Sequence, residues 1–274
     1  LTWKVAPDKL VYATYSRGFK SGGINMTALP LTAANTPNLT AAVVKPEKVQ
    51  TYELGLKSQF FERLLTANLA VFQTKVDNFQ ANVVDSAAGA PLRGYLSNVK
   101  EVKVRGAELD LSTRSIGGFT SYFNLAYTDG KYVDFKNGPT PLENLTATTS
   151  LFNLSGRNLP GVSRWAGSVG VEYRRRATFI DVPGEAYIGV DGSFRSNYYA
   201  DVTTSIYSII KGNEVANLRA GFESDNGVDA FVLIKNATNV RYLNNITIVS
   251  GNSGLVVGTP ADDRTVQFTI RARF

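Results

Sequence analysis

Thr265–Phe274, TVQFTIRARF, places Val266, Phe268, Ile270, Ala272 and Phe274 on one parity and Thr265, Gln267, Thr269, Arg271 and Arg273 on the other. Successive side chains of an extended strand point to opposite faces, so one face of this segment is wholly apolar and the other wholly polar. A half-buried strand of a water-soluble sandwich reads the same way. What separates the two possibilities is whether the pattern repeats, and how the repeats are connected.

The pattern does repeat. In Trp165–Tyr173, Trp165, Val169, Val171 and Tyr173 share a parity with Gly167; in Ala186–Arg195, Ile188, Val190 and Phe194 oppose Tyr187, Asp191, Ser193 and Arg195. Phe119, Phe123, Leu125 and Tyr127 oppose Thr120, Tyr122, Asn124 and Thr128, and Tyr52, Leu54 and Leu56 oppose Thr51, Glu53 and Lys57. Further candidates are Leu1–Val5, Lys9–Arg17, Leu65–Val76, Val215–Phe222 and Ala230–Asn236. Lys100–Leu111 breaks the rule: Val102 and Val104 lie on one parity, Ala107, Leu109 and Leu111 on the other, with Gly106 between them. A one-residue bulge at Gly106 would bring both halves to one face. The total is about eleven strands.

Their connections alternate in length. Short ones fall at Pro7-Asp8, Phe61–Arg63, Ser115–Gly118, Arg176–Gly184 (the loosest) and Ser224–Val228. Long ones, rich in Asn, Thr, Gly, Pro and Ser, fall at Gly18–Glu47, Asp85–Gly94, Phe135–Ser163, Ser196–Glu214 and Arg241–Asp263. A sandwich has no reason to gather its long loops at one end, whereas a transmembrane antiparallel β-barrel does, with short periplasmic turns and long extracellular loops. The expected fold is all-β, a barrel wall crossing the membrane. An odd strand count in a class of even-stranded barrels, and a first residue that sits in a strand already under way with no leader before it, lead us to expect a mature, truncated or partial chain.

Composition narrows the chemistry. Among 274 residues there is no histidine and no cysteine, which removes Ser-His-Asp and Cys-His systems, thiolate redox chemistry and the usual zinc ligand sets. We therefore expect no catalytic residue, no resident metal and no cofactor. The lack of cysteine says little about compartment. The formal charge of +6 would permit a nucleic-acid partner, but Lys and Arg are scattered through turns and strand ends, so none is expected. No run approaches the roughly 20 apolar residues of a spanning helix, and a mean hydropathy of −0.09 suits a wall that hides its apolar face in alternate positions.

Several stretches, in order along nearly the whole chain, resemble the C-terminal half of TonB-dependent receptors. They are Tyr12–Gly23 (YATYSRGFKSGG), Pro46–Lys57 (PEKVQTYELGLK), Val102–Asp110 (VKVRGAELD), Leu159–Tyr173 (LPGVSRWAGSVGVEY) and Ile234–Tyr242 (IKNATNVRY), with Phe274 as the terminal aromatic residue. The resemblance implies a plugged barrel of about 22 strands, with residues 1–274 as its C-terminal part and the plug and early strands outside the chain. It implies an outer-membrane uptake receptor for a scarce or large solute such as an iron-siderophore, a cobalamin or a glycan. It also implies coupling to TonB-ExbB-ExbD through the plug, and assembly by machinery that reads Phe268, Ile270 and Phe274. A passive porin or diffusion channel shares the strand pattern.

Candidate ligand contacts near the long loops are Arg17, Phe19, Lys20, Tyr132, Tyr198, Tyr199 and Tyr242, with Phe135 and Tyr207 as further loop aromatics. Exposed aromatic residues are enriched at recognition surfaces, although most in such loops serve only packing. Glu53, Glu108, Asp110, Glu172 and Asp191 share the lumen parity with Lys57, Arg174, Arg195, Arg219 and Arg271. Paired carboxylates there could suggest acid/base chemistry, but a solvated charge network suits a polar barrel interior better. Trp3, Tyr15, Tyr127, Trp165, Tyr173 and Phe274 are expected as interface girdles. Gly22 and Gly23 read as a turn, since no phosphate-loop lysine follows, and Pro46 as the residue that fixes the chain where the next strand starts.

Overall fold

The computed structural model describes residues 1–25, 29, 36–85, 93–145, 151–248 and 255–272. Eleven strands form one sheet: β1 Thr2–Ala6, β2 Lys9–Lys20, β3 Glu47–Phe60, β4 Leu65–Asp85, β5 Arg93–Thr113, β6 Phe119–Asp134, β7 Trp165–Phe179, β8 Val182–Arg195, β9 Asn213–Ser224, β10 Val228–Lys235 and β11 Thr265–Ala272. Each pairs antiparallel with its sequence neighbour. Every expected strand is present, and the meander order puts the long connections at one end and the short ones at the other.

Register carries the apolar parity unbroken from strand to strand. One cross-strand row runs Ala13, Leu54, Val71, Ala107, Tyr127, Trp165. Another runs Tyr173, Ile188, Ala220, Val232, Phe268. These side chains are bare: Leu54 is 53% exposed, Ile188 60% and Phe268 66%. In water, so wide an apolar surface would be covered by a second layer; here it is the face a bilayer solvates. Aromatic pairs bracket it, Tyr15–Tyr52 and Tyr127–Trp165 towards the long connections and Phe119–Tyr173 and Phe179–Phe222 towards the short ones, with ring centroids 4.5 to 5.8 Å apart. From Phe119 to Tyr127 the strand runs about 27 Å, which at a tilt of about 45° covers about 19 Å of membrane normal, within the apolar band of an outer-membrane wall.

Two expectations about connections change. Arg176–Gly184, read as a loose turn, is a tight hairpin: Phe179 pairs with Val182, and Ile180 and Asp181 alone turn the chain at φ 48° and 62°. Two successive positive φ values give the turn whose twist matches the flanking strands.

Nor is there a bulge at Gly106. Its register is continuous on both sides, opposite Phe72 and Thr128. A side chain at Gly106 would meet the Tyr127 carbonyl oxygen at 2.3 Å and the Phe72 ring at 2.7 Å, so glycine is required by close packing. The parity switch is real but has another cause. β4 and β5 are 21 residues each, about twice what crosses a membrane. Val102 and Val104 lie beyond the apolar band, on the same face as Glu108 and Asp110, and Val102 is buried at 1% exposure. Above the band the inner side becomes the dry one.

The core built there joins Ala81, Val83, Val99, Val102, Tyr132, Phe135, Leu154 and Leu159. Two irregularities aim side chains into it: Asn78 sits at φ 56° within β4, and the β5–β6 register shifts between Glu101 and Val102. Phe79, Ala81, Val83 and Val99 thereby join Val76 and Val102 in one cluster, although a strict period of two would divide them.

Candidate functional site

Two surfaces stand apart from the lipid face, the polar face of the sheet and the folded bases of the long connections. On the polar face, Glu172 accepts from Arg174 Nε at 2.6 Å and pairs with Arg219, and Arg174 Nη1 reaches Glu223 at 3.0 Å. The Tyr187 ring lies between these cations, 4.5 Å from the Arg174 guanidinium and 5.5 Å from that of Arg219, and its hydroxyl donates to Asp229 at 2.8 Å. Asn217 donates to Asp191 at 2.7 Å, and Tyr12 to Glu53 at 2.6 Å. A hollow of about 730 Å³ opens here, lined in part by Tyr122, Glu172, Asp191, Arg219 and Arg271. The acidic and basic residues read as lumen-facing do share this face; Glu172 pairs with Arg174 and Arg219, while Glu53 and Asp191 are held by Tyr12 and Asn217. Such a network holds strands in register and presents fixed, hydrated charges to whatever occupies the interior. Tyr12, Tyr187 and Asp229 were not foreseen, because a tyrosine on a polar parity gives no separate signal.

At the long-connection end, Glu143 in one loop accepts from the Ser205 hydroxyl at 2.6 Å and the Ile206 N–H at 3.2 Å in the next. Arg157 donates to the carbonyl and hydroxyl oxygens of Thr204 at 3.3 and 3.2 Å. Ser205 is fully buried and Thr204 is 3% exposed, so the bonds they make are partly shielded from water. Burial alone would raise the Glu143 carboxyl. The Ser205 hydroxyl, the backbone N–H groups and nearby Arg157 outweigh it and hold the group below the usual carboxylate range. The sequence gives no hint of this clasp, whose partners come from loops 62 residues apart.

The candidate ligand contacts separate into groups. Tyr198 and Tyr199 pair with Ile210 and Ile209 in a two-stranded ribbon and border a hollow of about 430 Å³ with Asn158, Arg164 and Asn197. The Tyr198 hydroxyl donates to the Asn244 carbonyl at 3.4 Å, which ties this ribbon to the loop that carries half-buried Tyr242. Lys20 lies on the polar face, 3.5 Å from Glu47. Arg17 and Phe19 take the parity of Tyr15, opposite Gln50 and Lys48, and so stand on the lipid-side face above the aromatic belt. Tyr132, 1% exposed against Phe135 at 5.0 Å, is a core residue of the loop base, which corrects its reading as a surface contact. Phe268 and Ile270 face lipid on β11, while Phe274 lies outside the described residues. Among the described residues no cluster of acidic side chains is arranged to hold a metal ion.

A wall lipid-facing on one side, charged on the other and crowned by folded loops at one end defines an outer-membrane β-barrel of the receptor class. Residues 1–246 match the model of the TonB-dependent receptor-like β-barrel, and the chain belongs to that family. It is 24% identical over 248 residues to the probable TonB-dependent siderophore receptor PiuA of Acinetobacter baumannii, covering 88% of this chain and 30% of that protein. Its fold matches that of the ferric yersiniabactin uptake receptor FyuA of Yersinia pestis, with TM-score 0.74 and 18% identity over 100% of this chain and 36% of that one. It also matches the copper transporter OprC, with TM-score 0.67 and 16% identity over 98% of this chain and 37% of that one. The chain thus spans about a third of the length of these relatives. Membership places it in the outer membrane, in a family of receptors and transporters.

Proposed function

We propose that residues 1–274 are the C-terminal part of the barrel of a TonB-dependent receptor that takes up a chelated metal, with an iron-siderophore as the first candidate. The observation that carries this reading is the continuous apolar face across eleven strands, backed by a charged inner face and topped by cross-braced loops. A passive pore needs only the first two; loops held rigid by a buried core and a clasp suit selective capture. The names of PiuA, FyuA and OprC favour chelated iron or copper over a cobalamin or a glycan.

In this reading Lys20, Tyr198, Tyr199 and Tyr242 contact the ligand, offering one cation and amphipathic rings to an anionic or aromatic chelate. Release inward depends on a plug outside this chain that engages TonB-ExbB-ExbD, and the barrel assembly machinery reads Phe268, Ile270 and Phe274. The test is uptake of radiolabelled iron, as a panel of ferric siderophores, by a receptor-deleted bacterium carrying the full-length gene with and without TonB. TonB-dependent uptake of one chelate is expected, lowered by Tyr198→Ala with Tyr199→Ala. Uptake that persists without TonB would make the protein a passive channel, and no uptake of any metal chelate would overturn the substrate class.

A further inference from the structure

Above the outer aromatic belt the lipid-side face turns basic in a specific way. The register aligns Arg17, Gln50, Lys75, Lys103 and Lys131 in one row across five adjacent strands, β2 to β6. The row beneath it is Tyr15, Tyr52, Gln73, Arg105 and Asp129, and the next is the apolar row that ends in Tyr127 and Trp165. Lys131 is four residues along β6 from Tyr127, a rise of about 9 Å along the membrane normal at the usual strand tilt. That is the depth of the headgroup layer, where anionic phosphates lie.

Folding alone does not favour the row. Lys75, Lys103 and Lys131 face one another on strands about 4.8 Å apart, an arrangement of like charges that opposes pairing. Carboxylates relieve only part of it: Lys75 meets Asp77 at 3.1 Å and Glu101 at 3.2 Å, and Lys131 meets Asp129 at 3.4 Å. Arg17 and Lys103 have no ion pair among the described residues, and Arg105 stays 63% exposed beside Asp129. On β8 and β9, by contrast, the outermost outward pair among the described residues is Phe194 opposite Glu214.

We propose that this row is a binding ledge for the phosphate groups of an anionic outer-leaflet lipid. The lipid's acyl chains lie against Ala13, Leu54, Val71 and Ala107, the apolar residues two rows below on the same strands. That adjacency commits the site to a lipid phosphate rather than a free anion. The outer leaflet follows from the reading that the long connections face the cell exterior; no part of the ledge depends on what the receptor transports.

The experiment uses full-length receptor, delipidated in nonionic detergent and placed in phosphatidylcholine nanodiscs with or without a bisphosphorylated glycolipid. Bound glycolipid is counted by native mass spectrometry. Replacing Lys75, Lys103 and Lys131 together by Gln should weaken retention by about tenfold or more, since each surface cation contributes substantially to anionic-lipid binding. Lys211→Gln, on an exposed loop, should leave retention unchanged. Should the triple variant fail to fold, Lys103→Gln alone carries the test, with a loss of about fivefold. Wild-type retention by the variants would overturn the proposal, and so would equal retention of the dephosphorylated glycolipid. Displacement by inorganic phosphate at matched phosphorus would replace the ledge with a soluble-anion site. Siderophore uptake reads the other proposal and is scored separately.

Discussion

β4, β5 and β6 each contain two regions of opposite construction. Between the aromatic belts, Leu69, Val71, Leu109 and Leu125 point outwards to lipid, and the inner face carries Glu108, Asp110 and Asn124. A few residues further, Lys75, Lys103 and Lys131 point outwards, and Val102, Tyr132, Leu154 and Leu159 fill a core on the inner side. The strands do not change; the solvent does. Apolar side chains go wherever water is absent, which is outside the wall in the bilayer and inside it above the bilayer.

The sharpest way to break this contrast is a pair of substitutions. Leu154→Ala empties a site with 0% exposure and should cost the loop base about 2–5 kcal/mol. Hydrogen exchange should then quicken in residues 135–145 and 151–162 while the protection of β7 to β11 stays as it is. Val169→Lys, midway between Trp165 and Tyr173 on the lipid face, should cost about 2–4 kcal/mol, and the protein should accumulate unassembled with the loop core no longer detectable. If both variants lost the barrel together, the two regions would be one cooperative unit.

A smaller effect probes the inner face. Gly170 lies under the Tyr122 ring, where an added Cβ would meet ring carbon at 2.3 Å, so Gly170→Ala should cost about 1–3 kcal/mol by overpacking, read as a lower midpoint in heat-modifiable electrophoretic mobility.

The smallest concerns the clasp. Glu143 has a folded-state pKa below its unfolded value, so its contribution is complete above the ordinary glutamate range near pH ~4.3 and is lost as pH falls through the folded value. Exchange at residues 203–208 should quicken with acid in the wild type. In Glu143→Gln it should already be fast at neutral pH, a change of about 1 kcal/mol, and unchanged protection in that variant would dismiss the clasp.

The membrane region was legible in the sequence because a two-sided wall repeats one rule: Ile188 and Val190 against Tyr187 and Asp191 states the environment of both faces. The upper region was not. Val102 and Val104 announced a change of side, but the period of two offers only a bulge to explain one, and the true cause is a change of surroundings at constant register. Arg17 and Phe19 were read as ligand contacts from their place beside a long loop, whereas their parity with Tyr15 puts them on the lipid side. Tyr132 shows the converse error, a loop aromatic taken for a contact when it anchors a core. Tyr198 reaches the Asn244 carbonyl of a separate loop, a contact that local pattern does not encode.

Asn78, at φ 56°, acts as a phase reset: one left-handed residue frees everything beyond it from the alternation imposed below. Everything between it and the matching break near Glu101 can therefore lengthen, shorten or be exchanged by recombination without rotating a single bilayer-facing side chain out of place. The crown of such a wall can change in sequence while the membrane anchor stays in step.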